Sequence, residues 1–245
     1  TADGTLFTAV SGVSLTNGDL TLVTGGALSL QSTVNIGSTG DVFLISAGGN
    51  VTQTAEGNVI AGGIGARTTV GDIDLSSASN GILQFAANNS AAGKSVKVRT
   101  AGSGLISSMP TDGTLFAATS GITTNGGNVT VVTGSSLTIN QAIAAGTGAV
   151  RFNTAGSITQ AAAGSITGSS LGIRTTSGNI DLTTSTGNNV ATLSAIDSFA
   201  GGSVKYRDAD GFTVGSVAAD GTLFTATNGI ITTNGGTSTN GAAAT

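Results

Sequence analysis

The chain has 245 residues, of which 40 are glycine and one is proline; it lacks cysteine, histidine and tryptophan, its charged residues are 8% and its net charge is −4. Without cysteine there can be no disulfide, thiolate catalysis or Cys-rich zinc site, and an acidic chain of pI about 4.4 lacks the basic stripe that nucleic acid demands. No run approaches the roughly 18 apolar residues that span a bilayer, while a mean hydropathy of +0.30 with abundant Val, Ile and Leu marks a chain that folds.

The chain opens on Thr1-Ala2-Asp3, with no initiator methionine and no signal pattern, as expected of a segment of something longer. Short alternating runs then begin near Leu20, Leu28, Val34, Val42, Val51, Val59, Ile73, Leu83 and Val96, mostly eight or nine residues apart. That spacing predicts short strands separated by turns. Within the runs Leu20 and Leu22, Leu28 and Leu30, Ile73 and Leu75, and Val96 and Val98 point one way; Thr21, Ser29, Asp74 and Lys97 point the other. No window carries a helical apolar period with caps, so the chain is all-β.

A longer period overlies the short one. Asp3-Gly4-Thr5-Leu6-Phe7 returns at Asp112 to Phe116 and at Asp220 to Phe224, and Leu20 to Gly25 returns at Val129 to Gly134, 109 residues later. Val96-Lys97-Val98-Arg99 returns as Val204-Lys205-Tyr206-Arg207. The expected division is one continuous solenoid over 1–245, with long repeats at 3–111 and 112–219 and the start of a third at 220–245. A spacing of 22 residues from Leu20 to Val42, and again from Val51 to Ile73, predicts three short strands per coil. Five coils per long unit follow from that spacing, in a right-handed parallel β-helix. Asn17-Gly18, Asn80-Gly81, Asn125-Gly126 and Asn234-Gly235 are expected to supply positive-φ corners. Gln53 and Gln160 fall in phase with the inward Val51 and Ile158, and are expected to bond corner backbone.

Candidate sites are few. Asp72 with Asp74, and Asp208 with Asp210, are the best carboxylate clusters for polysaccharide cleavage, but Asn179 replaces Asp72 in the second repeat, and solvent-facing side chains are the expected reading. Gly62-Gly63-Ile64-Gly65-Ala66-Arg67 begins like a calcium nonapeptide and puts arginine where a ligand is needed. The threonine pairs are too irregular for an ice-binding array. Lys97 with Arg99, and Lys205 with Arg207, place two charges on one strand face once per unit. They form the candidate contact for an anionic glycan, set against a solvated strand that discourages edge aggregation. Arg67 and Arg174 recur in the same way. No catalytic residue, metal ligand or cofactor is expected, and no enzyme.

Ala155-Gly156-Ser157-Ile158-Thr159-Gln160, Ser177 to Thr183 and Gly187 to Leu193 resemble the repeats of filamentous-haemagglutinin-type exoproteins of Gram-negative bacteria. The resemblance covers essentially the whole chain. It implies a β-helical structural segment of a giant protein at the cell surface or outside the cell, exported by a two-partner or autotransporter route and serving adhesion, biofilm or cell-cell contact. Expected partners are adjacent repeats, end-to-end copies and cell-surface glycans, with neither nucleic acid nor membrane insertion. A self-assembling filament or sheath subunit is the close alternative, and a polysaccharide-cleaving β-helix enzyme the distant one.

Overall fold

The computed structural model describes residues 11–77 and 80–233. The first copy of the Asp-Gly-Thr-Leu-Phe motif, Asn234-Gly235 and the rest of the third repeat beyond Thr233 lie outside the described residues. β-Branched residues in alternation, broken by glycine, favour short extended segments. The described residues accordingly hold strands and no helix, and 23 of the strands join one sheet.

The strands stack in parallel on three faces. On the first face, Leu20 pairs with Val42, Val42 with Ile64, and Ile64 with Phe85. On the second, Leu28 pairs with Val51, Val51 with Ile73, and Ile73 with Val96. On the third, Val13 pairs with Val34, Val34 with Val59, and Ile60 with Gly81. Stacked coils lie about 22 residues apart, giving a β-solenoid of about nine turns, the architecture that the sequence predicts.

Inward residues form one continuous core along the stack. Val42, Ile64, Ile73, Val96, Val129, Val150, Leu171 and Val190 are all fully buried. The corners need polar groups, because the backbone there leaves the sheet ladder. The predicted glutamine role holds: Gln53 Nε2 donates to the Gly57 carbonyl at 2.8 Å, and Gln160 Nε2 to that of Gly164 at 2.6 Å. The asparagine corners are less uniform than expected. Asn17 has φ 57°, and at Asn125-Gly126 it is the glycine that is positive. Gly81 does not have a positive φ. Asn80 is instead buried as a second amide against Gln53: its Nδ2 donates to Gln53 Oε1 at 2.7 Å and its Oδ1 accepts from the Val59 N–H at 2.8 Å. Asn188 repeats that clasp against Gln160.

The long unit differs from the five-coil expectation. Phe85 pairs with Ile106 while Ala87 pairs with Ile122, so the single residue Ala86 in one coil corresponds to residues 107–121 in the next. Those residues leave the sheet as an antiparallel hairpin, pairing Ser108 with Ser120 and Met109 with Thr119. Once they are set aside, about 95 of the 109 residues in the unit follow the coil, which is about four and a third turns. Each unit therefore advances by one face of three. Val129, the repeat counterpart of Leu20, stacks on Val96 and so on the second face, not on the face of Leu20.

Candidate functional site

The hairpins are the places where side chains of distant segments converge outside the core. The hairpin strands Ser108–Met109 and Thr119–Ser120 flank a tight turn in which the Asp112 N–H donates to the Phe116 carbonyl at 3.0 Å. The second hairpin repeats this: Ser216–Val217 pairs with Thr227–Asn228, and the Asp220 N–H donates to the Phe224 carbonyl at 2.8 Å. Where each hairpin rejoins the coil stands a glycine with positive φ, 65° at Gly121 and 73° at Gly229. Gly121 is held there by two constraints, since a Cβ would also meet the Ala142 carbonyl oxygen at 2.0 Å.

Each hairpin lies back over the long outer face of its own unit. Phe116 is fully buried outside the main core, in a cluster with Phe43, Ala86 and Met109. Its ring stands 4.8 Å from that of Phe43, and the Arg67 guanidinium lies 5.9 Å from its centroid. Arg67 Nη1 also donates to the Ala117 carbonyl at 3.1 Å, so this recurring arginine clamps the hairpin. Glycine makes the close approach possible: a Cβ on Gly65 would stand 2.5 Å from Phe116 Cζ, and one on Gly172 2.7 Å from Phe224 Cζ.

The second platform uses polar groups at the positions that Phe43 and Ile45 occupy in the first. Arg151 Nε donates to the Ala218 carbonyl and Asn153 Nδ2 to the Leu223 carbonyl, each at 2.8 Å. Asp220 accepts from Thr130 Oγ1 at 2.7 Å and from Lys97 Nζ at 2.6 Å. Burial alone would push the Asp220 carboxyl up; the bonds from Lys97 and Thr130 and the charges of Lys97 and Arg151 outweigh it and hold the group below its ordinary value. Asp112 likewise accepts from Thr21 Oγ1, the repeat counterpart of Thr130.

The predicted basic pairs therefore have different fates. Lys97 is half-buried and engaged by Asp220, and Arg99 is half-buried two residues along the same strand face. Lys205 and Arg207 are exposed, with Lys205 Nζ 3.9 Å from Asp181. The two pairs do not line up in one ladder: Lys97 pairs with Asp74 and Thr130, whereas Lys205 pairs with Asp181 on a different face. The one-face advance of the unit is the reason.

Of the predicted carboxylate pairs, Asp208 and Asp210 stay together, the Asp210 N–H donating to Asp208 Oδ1 and both charges acting on Tyr206. Asp72 accepts from the Ser95 N–H at 2.7 Å and sits 3.7 Å from Lys94. Asp208 accepts from the Tyr206 hydroxyl at 2.7 Å and from backbone N–H groups; burial works against these bonds but they bring its pKa down. Tyr206 is pushed up by burial, by its bond to Asp208 and by the charges of Asp208 and Asp210. Among the described residues no group of three or more Asp or Glu side chains is placed to hold a metal ion. What sequence reasoning missed is the hairpin platform. Its signal was an Asp-Gly-Thr-Leu-Phe motif that recurs most faithfully and yet breaks the alternation on both sides.

Comparison of the chain with protein-family models, with curated proteins and with solved structures finds no match.

Proposed function

We propose that this chain is a structural segment of a large secreted or surface-anchored bacterial β-helical protein of filamentous-haemagglutinin type, working as a rigid rod in adhesion or cell-cell contact. The observation that carries this reading is the continuity of the sheet. Parallel pairing passes from the first long unit into the second, with one register shift at Thr124/Asn125, and Val96 to Thr100 pair residue by residue with Val129 to Thr133. In such a stack each coil saturates the backbone of its neighbour and extends the same core, so length grows without a new domain. The hairpins add a brace on the outside of each unit, which suits a rod that bears lateral load.

The test is mechanical and direct. About nine coils at ~4.8 Å each make a rod about 43 Å long. Small-angle scattering of the purified chain is expected to give a rod of that length and constant cross-section. Cells displaying the chain are expected to adhere more than cells displaying a hairpin-deleted or scrambled version. A compact scattering profile, or adhesion equal to that of the scrambled chain, would remove this reading.

A further inference from the structure

The second platform gathers cations in a chain whose net charge is −4. Lys97 pairs in register with Thr130 and Thr130 with Arg151, and the next outward column runs Arg99, Val132, Asn153, Arg174. Lys97, Arg99, Arg151 and Arg174, half of the chain's 8 Lys and Arg residues, thus share one outer face. Two of them serve the hairpin: Lys97 holds Asp220, and Arg151, 6% exposed, bonds the Ala218 carbonyl. Arg99 and Arg174 do not. Among the described residues neither guanidinium has a hydrogen-bond or ion-pair partner, and Arg99 Nε is buried without an acceptor. Arg174 is the counterpart of Arg67 but does not repeat its clamp. Thr227 Oγ1, the counterpart of the Thr119 hydroxyl that Arg67 reaches, is left without a partner.

The acids around this strip are engaged elsewhere or turned away. Asp220 is taken by Lys97 and Thr130, Asp74 lies opposite Lys97 in the strand beneath, and Asp197, beyond Ile196, is buried. On the open side, the corner residues after the buried Thr100, Thr133, Thr154 and Thr175 are Ala101, Gly134, Ala155 and Thr176, none of them charged. The strip Arg99, Val132, Asn153, Arg174 is therefore a donor-rich track along the foot of the hairpin. Asn153 Nδ2 bonds the Leu223 carbonyl there, and its Oδ1 stays free. The first unit has no such track. Its counterparts of Val132, Asn153 and Arg174 are Val23, Ile45 and Arg67, and Arg67 is bound to the hairpin. The one-face advance is what lays Val132 of the second unit on Arg99 of the first.

We infer that this strip binds an extended acidic peptide of a partner protein, one carboxylate on Arg99 and another on Arg174. The two arginines stand three strands apart, which is about 14 Å at ~4.8 Å per strand. In an extended peptide the side chains of one face recur every second residue, at ~3.4 Å per residue, so acids at positions i and i+4 are also about 14 Å apart. The residue midway between them meets Val132 and Asn153, so the recognised pattern is acid-x-apolar-x-acid. Each planar guanidinium can take a carboxylate through two parallel bonds, and the charges of Lys97 and Arg151 add to the attraction. A nucleic acid, with about one charge per 1.7 Å of its axis, would set most of its phosphates against an acidic protein.

The unaltered full chain is titrated into a fluorescent peptide, Glu-Ser-Val-Ser-Glu with neutral ends, and binding is read by anisotropy. Saturable binding is expected, weakening as salt rises from about 50 to about 300 mM. Placing the two Glu side by side should weaken it about tenfold, since only one arginine can then be reached. Arg99→Gln and Arg174→Gln should each cost about the same factor of ten, while Arg207→Gln, at an exposed arginine off the strip, leaves binding unchanged. The spacing comparison uses the unaltered chain, so it decides the matter even if a variant fails to fold. Absence of saturable binding, indifference to the Glu spacing, or an equal loss in Arg207→Gln would overturn the proposal. Tighter binding of an oligogalacturonate of equal charge would overturn it as well, assigning the strip to a sugar polymer.

Discussion

The Lys97 ammonium lies 2.6 Å from Oδ1 of Asp220, joining two residues 123 positions apart. The pair fastens the second hairpin to the unit before its own, so it acts as a staple across the unit junction. Both side chains are largely shielded, and the bond is charge-assisted. Lys97→Met is expected to cost about 1–2 kcal/mol of local stability. Hydrogen exchange over residues 216–228 should accelerate accordingly at pH 7, while exchange in residues 41–46 stays unchanged. Equal acceleration in both segments would mean that the pair supports the whole stack and not the hairpin.

The same pair sets a pH dependence. The folded Asp220 carboxyl has a pKa below its ordinary value, so its contribution is complete above the ordinary carboxylate range and is lost as pH falls through the folded value. Asp208 acts in the same direction. Exchange protection of the second hairpin is therefore expected to decline on acidification, and Lys97→Met to flatten that decline. An unchanged acid profile in the variant would show that Lys97 is not the cause.

Asp197 runs the other way. It is buried at the end of Asn189–Asp197, with Oδ1 accepting from the Phe199 N–H and Oδ2 without a donor. Its counterpart Asn89 makes the same bond to the Ala91 N–H and uses Nδ2 to donate to the carbonyls of Gly71 and Ser95. Burial raises the Asp197 pKa against the opposing Phe199 bond. A raised folded pKa means that stability is lost as pH rises through it. Asp197→Asn is expected to gain about 1 kcal/mol at pH 7, with the gain vanishing below the ordinary carboxyl pKa. Thermal denaturation at pH 7 and at pH 3.5 measures both; an equal gain at the two pH values would rule out titration as the source.

The duplicated amide clasp predicts a larger loss. Asn188 Oδ1 accepts from the Ile166 N–H, and Nδ2 donates to Gln160 and to the carbonyls of Leu182 and Arg207. Asn188→Ala leaves several buried polar groups without partners and is expected to cost about 3 kcal/mol. Gln160→Ala with Asn188→Ala should cost less than the sum of the single changes, because each removes the other's partner. Additive losses would mean that the two amides act independently.

Much of this fold is legible in the sequence because the solenoid repeats local rules. Period-two alternation in Ile73–Leu75 or Val96–Thr100 names the inward side chains, and the phase of Gln53 with Val51 already places it inside a corner. The phase advance was hidden because residues 107–121 are counted in the repeat length yet take no part in the coil. Phe43 reads as an outward position, and it is; its burial comes from a hairpin whose Phe116 lies 73 residues away and leaves no mark near Phe43. The partner of Lys97 was illegible for the same reason, since only the three-dimensional advance of one face brings Asp220 over it.

If the hairpin is a brace added to a self-sufficient coil, it can be removed cleanly. The ends of residues 107–121 already meet, with the Gly121 N–H donating to the Ser107 carbonyl at 2.8 Å, and the coil below passes the same point with Ala86 alone. Replacing residues 107–121 by one alanine should therefore preserve the parallel ladder from Ile106 into Ile122. The circular dichroism of the sheet is expected to stay, and the stack to keep its cooperative unfolding. The deletion uncovers Phe43, Ile45 and Gly65, so dye binding to exposed apolar surface should rise. Gly65→Leu offers the milder version: a side chain there occupies the place of the Phe116 ring, so the hairpin is expected to detach and become open to proteolysis between residues 107 and 121. Loss of the sheet signal in the deletion variant would show that the hairpin is part of the folding core, and the four-and-a-third-turn unit could not then be separated into coil and brace.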